Sequence, residues 1–275
     1  MSIHPDRLPS SLVLVGAGKM GGSMLEGWLK VGVDPAGVTV VDPRPSEDMA
    51  RLCAGKGIAL NPAGVSAPEV LVLAIKPQML DDAAPALNTY LGPQTLIISI
   101  LAGKTIGDLK GRLPAASAVV RAMPNLPASI GRGATGAAAN AAVSEKQRAT
   151  ADALLSSNGI VEWLPSEDLI DAVTAVSGSG PAYVFHLVEC LAEAGAAAGL
   201  PPELAERLAR ATVTGAGELL FRSDLPPATL RQNVTSPGGT TAAALEVLMR
   251  DPGGLKGLMR EAVAAAKRRA EELAG

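Results

Sequence analysis

The sequence predicts an α/β protein: an N-terminal Rossmann-type, doubly wound sheet followed by an all-helical domain. Three observations carry that expectation. Short apolar runs alternate with helical patterns over the first 165 residues, as repeated strand–helix–strand units do. A glycine fingerprint stands at the opening of the first of those helices. Beyond about Pro165 the strand patterns stop and only helical ones continue. At roughly 150 residues per domain, 275 residues fit two domains, expected at 1–165 and 166–275.

The elements follow in order. Leu12-Val-Leu-Val15 reads as a strand and Lys19–Val31 as a helix closed by Gly32. Val38-Thr-Val-Val41 is the second strand, followed by a helix from about Ser46 to Ala54. Val70–Ile75 and Thr95–Ile100 are apolar on both faces, the pattern of buried parallel strands. Thr105-Ile-Gly-Asp108 and Ser144-Glu-Lys-Gln147 have the spacing of capping boxes, so each should open a helix, the second ending at Asn158-Gly159. Helices are then expected over Glu167–Val176, Pro181–Gly199, Pro202–Phe221, Thr240–Met249 and Leu255–Ala274. Their Ala and Gly content predicts close helix packing, with partner faces supplied by a second subunit.

Composition narrows the function. Only six residues are aromatic and the net charge is −3, which argues against a nucleic-acid platform. Cys53 and Cys190 offer neither a disulfide framework nor a metal cluster, and no metal site is expected. No run approaches the roughly 18 apolar residues of a membrane span, so a cytoplasmic protein is expected. His4 lies near the start, and His186 reads as a packed helix residue rather than a catalytic one. No Ser-His-Asp order is present, so the chemistry falls to a cofactor.

Gly16-Ala-Gly-Lys-Met-Gly21 fits G-x-G-x-x-G directly after a strand. Gly16 allows the tight turn, Gly18 lets the backbone approach a pyrophosphate, and Gly21 lets helix and strand pack closely. The following helix N-terminus offers unpaired N–H groups and positive potential to phosphates. Asp42 ends the second strand, where an acid can bond the ribose 2′-hydroxyl of NAD, while Arg44 could instead meet the 2′-phosphate of NADP. Ile75 and Lys76, at the end of the strand read over Val70–Ile75, and Ala102, after the next, fall at carboxyl ends of strands, where open sheets bind ligands. Arg121-Ala-Met-Pro-Asn-Leu-Pro127 is expected to follow a further strand across the same edge, making Met123 and Asn125 candidate cleft residues. Ser177-Gly-Ser-Gly-Pro181 reads as a turn into a helix, with Ser179 or Gly180 as N-cap. Thr235-Ser-Pro-Gly-Gly-Thr-Thr241 presents free amides at a helix start, an anion site suited to a carboxylate.

At these motifs the chain resembles the pyrroline-5-carboxylate reductases, NAD(P)H-dependent enzymes of the last step of proline synthesis. The glycine fingerprint and Ala74-Ile-Lys-Pro77 carry the likeness in the first half. Glu167–Thr174, Ser177–Tyr183 and Leu230–Thr241 carry it in the second, the last segment being the most specific. The resemblance implies a Rossmann domain followed by a helical dimerisation domain, and dimers that often assemble into decamers. It implies that Ala17, Lys19 and Met20 sit on the dinucleotide, with Asp42, Asn61, Ile75, Lys76 and Ala102 lining its other parts. Asn233 would reach the cofactor from the helical half, and Glu167, Thr240 and Thr241 would contact the substrate. Together with Ser236, Gly238 and Gly239 of the anion loop, these form the expected substrate set, with Thr241 as the catalytic hydroxyl.

Many family members have small or basic residues after the second strand and prefer NADPH. Asp42-Pro-Arg44 instead leads us to expect NADH to be well used and NADPH tolerated. Two other readings share parts of the pattern. A 3-hydroxyacid dehydrogenase-like oxidoreductase has the same order of domains, but that family's lysine after the central glycine motif is missing from Tyr183–Glu189. A nucleotide-sensing binding protein without catalysis is a rival of a different class.

Overall fold

A computed structural model of the chain describes residues 4–274; the first three residues and Gly275, the outer ends of the two expected domains, lie outside the described residues. The first half runs β1 (Leu12–Val15), α1 (Lys19–Lys30), β2 (Val38–Val41), α2 (Glu47–Lys56), β3 (Ala59–Leu60), β4 (Val70–Leu73) and α3 (Leu80–Asn88). It continues with β5 (Leu96–Ser99), α4 (Ile106–Arg112), β6 (Ala118–Met123), β7 (Gly133–Ala139), α5 (Glu145–Ser156) and β8 (Gly159–Trp163). The sheet order is β3-β2-β1-β4-β5-β6-β7-β8, parallel throughout except where β7 turns back along β6. Strand order therefore reverses between β1 and β4, and the crevice at that switch point is where such sheets bind ligands.

Alternation along the central strands builds two cores. Leu12, Leu14, Val70, Val72, Leu96 and Ile98 face one way, against Met24, Leu25 and Trp28 of α1 and Leu154 of α5. Val13, Val15, Leu71, Leu73 and Ile97 face the other, against Leu80 and Leu87 of α3 and Leu109 of α4. Side chains of successive strand residues point to opposite faces, so a strand apolar on both covers two helix layers. The fully buried Trp28 satisfies its ring N–H by donating to the Leu154 carbonyl at 2.9 Å, which ties α1 to α5. Both expected capping boxes are present, Thr105 with Asp108 and Ser144 with Gln147.

β7 and β8 had no clear sequence signature. β7 is Gly133-Ala-Thr-Gly-Ala-Ala-Ala139, small residues with little strand preference, and it forms because β6 and β8 supply its ladders. Arg121–Pro127 was expected to follow a strand; instead Arg121 and Met123 lie within β6, and the chain leaves it only after Met123.

Residues 166–178 follow β8 in the chain. Glu167–Val176 is not one helix: a 3₁₀ turn at Glu167–Leu169 leads into α6 (Ile170–Val173) and then a π-helical segment at Thr174–Gly178. Thr174 and Ser177 donate their hydroxyls to the carbonyls four residues back, at 2.8 and 3.1 Å. Such side-chain bonds compete with the regular ladder and loosen it.

The helices beyond are α7 (Gly180–Ala197), α8 (Pro202–Arg222), α9 (Pro227–Asn233), α10 (Thr240–Leu248) and α11 (Leu255–Ala274). Helix α9 was hidden by the Pro226-Pro227 pair, which opens it rather than breaking it, since Pro suits a first helical position. By internal contacts the chain forms two compact units, one of residues 1–178 with 267–275 and one of residues 179–266. Within the second, α7 packs on α8, and a Cβ added at Gly195 would sit 3.2 Å from that of Ala205. Small residues there allow the close crossing. Among the described residues, no helix is long and apolar enough to cross a membrane.

Candidate active site

In the first unit, the turn after β1 is built on contacts that admit only glycine. Gly16 has φ +89°, and a Cβ there would lie 2.8 Å from the Ala74 carbonyl carbon. A Cβ at Gly21 would lie 2.2 Å from the Gly16 oxygen. At Gly18, by contrast, nothing lies within 4 Å of the added atom. Gly18 is the N-cap of α1 and gives no side-chain oxygen to the first-turn amides. Open backbone, free amides and a helix N-terminus make a phosphate cradle, and this geometry fits the pyrophosphate of a dinucleotide.

The carboxyl ends of the neighbouring strands complete that edge. Ile75 and Lys76 leave β4, with Lys76 capping a 3₁₀ turn, and Ala102 sits in the turn after β5. Asp42 is fixed by four hydrogen bonds. Its Oδ2 accepts from the Ala17 amide and its Oδ1 from the Arg44 amide, each at 2.8 Å. Asn61 clasps its main chain, accepting from the Asp42 amide at 2.9 Å and donating to the Asp42 carbonyl at 2.7 Å. An open cleft of about 770 Å³ runs from Ala17, Gly18 and Lys19 past Asp42 to Arg44, Ser46 and Arg51. The structure thus gathers Gly16–Gly21, Asp42, Arg44 and Asn61 around one loop.

Glu167 belongs to this unit and is already engaged. Its Oε1 accepts from the Ile106 amide at 2.8 Å and from Arg121 at 2.9 Å. Arg121, with a side chain only 5% exposed, has Asp171 as a second acidic neighbour at 3.8 Å. Sequence reasoning missed this network, although a single arginine within the apolar run Ala118–Met123 was its visible signal. Asn125 joins the same region as a strut, donating to the Ser177 carbonyl at 3.0 Å and accepting from the Ala134 amide at 2.9 Å.

In the second unit, Thr235–Gly239 turns into the start of α10. Gly238 has φ +68°, and the Gly239 amide donates back to the Ser236 carbonyl at 3.0 Å. Gly239 is the N-cap of α10, again with no side-chain cap. Thr240 is exposed and Thr241, in the first turn, is half-buried. Asn233 ends α9 and is exposed. His186 is not packed, contrary to expectation: its side chain is 74% exposed and pairs with Glu189 at 2.9 Å, because the α7 face bearing it is uncovered. Among the described residues, no group of three or more His, Cys, Asp or Glu is arranged to hold a metal.

A doubly wound sheet with a glycine turn and an open helix N-terminus at its switch point, continued by a helical half, defines a nucleotide-dependent oxidoreductase. The family model for pyrroline-5-carboxylate reductase dimerisation matches residues 167–273, and that for NADP oxidoreductase, coenzyme F420-dependent, matches residues 11–103. The pyrroline-5-carboxylate reductase of Pseudomonas aeruginosa is 41% identical, covering 96% of both chains. The solved pyrroline-5-carboxylate reductase of Coxiella burnetii superposes with a TM-score of 0.89 at 37% identity, over 97% of this chain and 99% of that one. That of Plasmodium falciparum, solved with NADP bound, gives 0.75 at 28% identity, over 96% and 98%. The chain belongs to the pyrroline-5-carboxylate reductase family. It is an NAD(P)H-dependent oxidoreductase with a Rossmann-type half and a dimerisation half.

Proposed function

We propose that this chain reduces L-1-pyrroline-5-carboxylate to L-proline with NADPH or NADH, and that the loop Ser236–Thr241 seats the substrate. The observation that carries the substrate reading is the uncapped N-terminus of α10, where free amides follow Gly238 and Gly239 beside two hydroxyls. The substrate carboxylate lies on the amides of Thr240 and Thr241, since the Gly239 amide is engaged by the Ser236 carbonyl, and Ser236, Gly238 and Gly239 shape the loop. The Thr241 hydroxyl then hydrogen-bonds the ring nitrogen. Glu167 keeps its Oε2 for the substrate while Oε1 stays on Arg121 and Ile106.

The glycine loop, Lys19, Met20, Ile75, Lys76 and Ala102 hold the dinucleotide, and Asn233 adds a contact from the helical half. When bound, the dinucleotide would supply the hydride for the C=N carbon, and the Thr241 hydroxyl would face the ring nitrogen that takes up a proton from solvent. The protein's contribution is mainly orientation of the two bound molecules, which accounts for the lack of a catalytic histidine. The enzyme works in the cytoplasm as a homodimer, assembled further into a decamer. Two unpaired cysteines suit that reducing compartment.

The test is oxidation of NADPH or NADH by L-1-pyrroline-5-carboxylate under single-turnover conditions, followed by absorbance, with L-proline identified as product. Nucleotide binding without turnover would leave a sensing protein; turnover of 3-hydroxyacids instead would reassign the substrate.

A further inference from the structure

Arg121 is a buried cation in an otherwise apolar strand. Its neighbours in β6, Val119, Val120 and Ala122, are all buried with it. It pairs in register with Ser99, the last residue of β5, and so stands toward the strand ends where Ile75, Lys76 and Ala102 lie. Burying a guanidinium gives up its hydration, and pairing it with a carboxylate restores about as much stability as an apolar pair of the same volume would. Stability alone therefore does not account for a charge at this place. What a pair adds is direction, because a guanidinium holds its donors in a rigid planar fork.

That direction is passed to Glu167. Its Oε1 accepts from Arg121 Nη1 at 2.9 Å and from the Ile106 amide at 2.8 Å, which occupies both lone pairs of that oxygen. Nη2 of the same guanidinium faces Asp171 Oδ1 at 3.8 Å and steadies the fork from its other side. Glu167 Oε2 has no donor among the described residues. Nor is it enclosed, since among those residues the buried side-chain polar atom without a partner is Asn88 Oδ1. Further along the same segment, Asn125 donates to the Ser177 carbonyl at 3.0 Å, so the chain bearing Glu167 is pinned at both ends. One oxygen is saturated and the other is open in a fixed orientation.

We propose that Arg121 is a positioning residue for the reduction, fixing Glu167 so that Oε2 alone faces the substrate. The proposal rests on the reading of Glu167 as a substrate contact given above. Pyrroline-5-carboxylate can donate a hydrogen bond only from its ring nitrogen, once that is protonated; its other polar atoms accept. A carboxylate oxygen that faces it therefore meets that N–H. A carboxylate free to turn would spread over several rotamers and repel the substrate's own carboxylate, so its orientation has to be set beforehand. This matters to the substrate and not to the dinucleotide, whose glycine turn is carried by β1 and α1.

The test combines steady-state kinetics of the full-length protein on L-1-pyrroline-5-carboxylate with calorimetric titration of NADPH. Glu167→Gln keeps the anchored acceptor and puts an NH2 donor in place of Oε2, so kcat/KM should fall about tenfold or more. Arg121→Met should lower it by a similar factor, and Arg121→Lys, which keeps the cation but not the fork, about threefold to tenfold. NADPH affinity should move less than about threefold in each. In the Glu167→Gln background, Arg121→Met should add less than about threefold, because no Oε2 remains to be aimed. A merely structural arginine would change stability and leave the kinetics of the folded protein alone. Wild-type kcat/KM in the Arg121 variants, or losses that multiply in full in the double variant, overturn the proposal. Where Arg121→Met does not fold, Arg121→Lys decides by the same two criteria. Normal turnover by Glu167→Gln would sink the reading of Glu167 and this role with it. A loss in Glu167→Gln beside wild-type kinetics in both Arg121 variants would sink this role alone. Wild-type protein that binds NADPH without reducing pyrroline-5-carboxylate would sink the proposed reaction and Arg121's part in it.

Discussion

Thr241 separates a helix cap from a substrate group. It lies in the first turn of α10, half-buried, two residues after an N-cap glycine that supplies no side-chain oxygen. Thr241→Ala removes the hydroxyl and keeps the helix, because alanine is the best helix former. A hydrogen bond lost in a desolvated site costs about 1–3 kcal/mol, so kcat/KM for pyrroline-5-carboxylate should fall roughly tenfold to a hundredfold. NADPH affinity should barely change, since the phosphate cradle is built from Gly16–Gly21. Thr241→Ser should recover much of the loss. Steady-state kinetics with calorimetric cofactor titration checks all three, and near-normal turnover by a folded Thr241→Ala protein would reduce the residue to a structural one.

At the scale of elements, the segment 166–178 is held to the sheet by charge rather than by apolar packing alone. Arg121 projects from β6, and Glu167 joins it to the first amide of α4. Removing one partner of a buried pair leaves an uncompensated charge, which typically costs about 3–5 kcal/mol. Glu167→Ala should therefore destabilise the protein by about 3 kcal/mol, with Asp171 at 3.8 Å covering part of the loss. Replacing both partners, Arg121→Met with Glu167→Leu, should be markedly milder than the sum of the single changes, because no lone charge remains. Chemical denaturation of the three variants measures this. Additive effects would show that the pair is not coupled.

For the whole molecule, the question is where the apolar helices find cover. In residues 179–266 the buried hydrophobic positions are Ala205 and Ala209, while Phe185 is 56% exposed, Leu219 64% and Val247 56%. The first unit has an uncovered feature of its own, an apolar groove of about 400 Å³ beside Leu164, Leu169, Val173 and Val176. Exposed apolar surface on this scale marks an interface, and burying it gains roughly 25 cal/mol per Å². The family's dimerisation model covers most of these residues. We therefore expect no stable folded monomer. Unfolding midpoints should rise with protein concentration, and dilution should lose dimer and helical structure together. Phe185→Glu should weaken or abolish the dimer by sedimentation, whereas a concentration-independent monomer mass would contradict the expectation.

The local chemistry of the chain was enough for much of this. Periodicity placed the central strands, because side chains apolar on both faces can only be covered by helices on both sides. Spacing placed the two capping boxes and the glycine turn, because each depends on groups a few residues apart. The loop before α10 was legible for the same reason. What the sequence could not determine were features decided by distant partners. β7 became a strand through neighbours on both sides despite residues with little strand preference. Arg121 became a buried ion pair only when the chain brought Glu167 to it. Asp42 ended the second strand in the sequence, but only the fold set its two oxygens on the Ala17 and Arg44 amides. Which bond a side chain makes is settled by what lies within about 3 Å of it, and over separations such as 25 residues from Ala17 to Asp42 or 46 from Arg121 to Glu167, only tertiary structure fixes that.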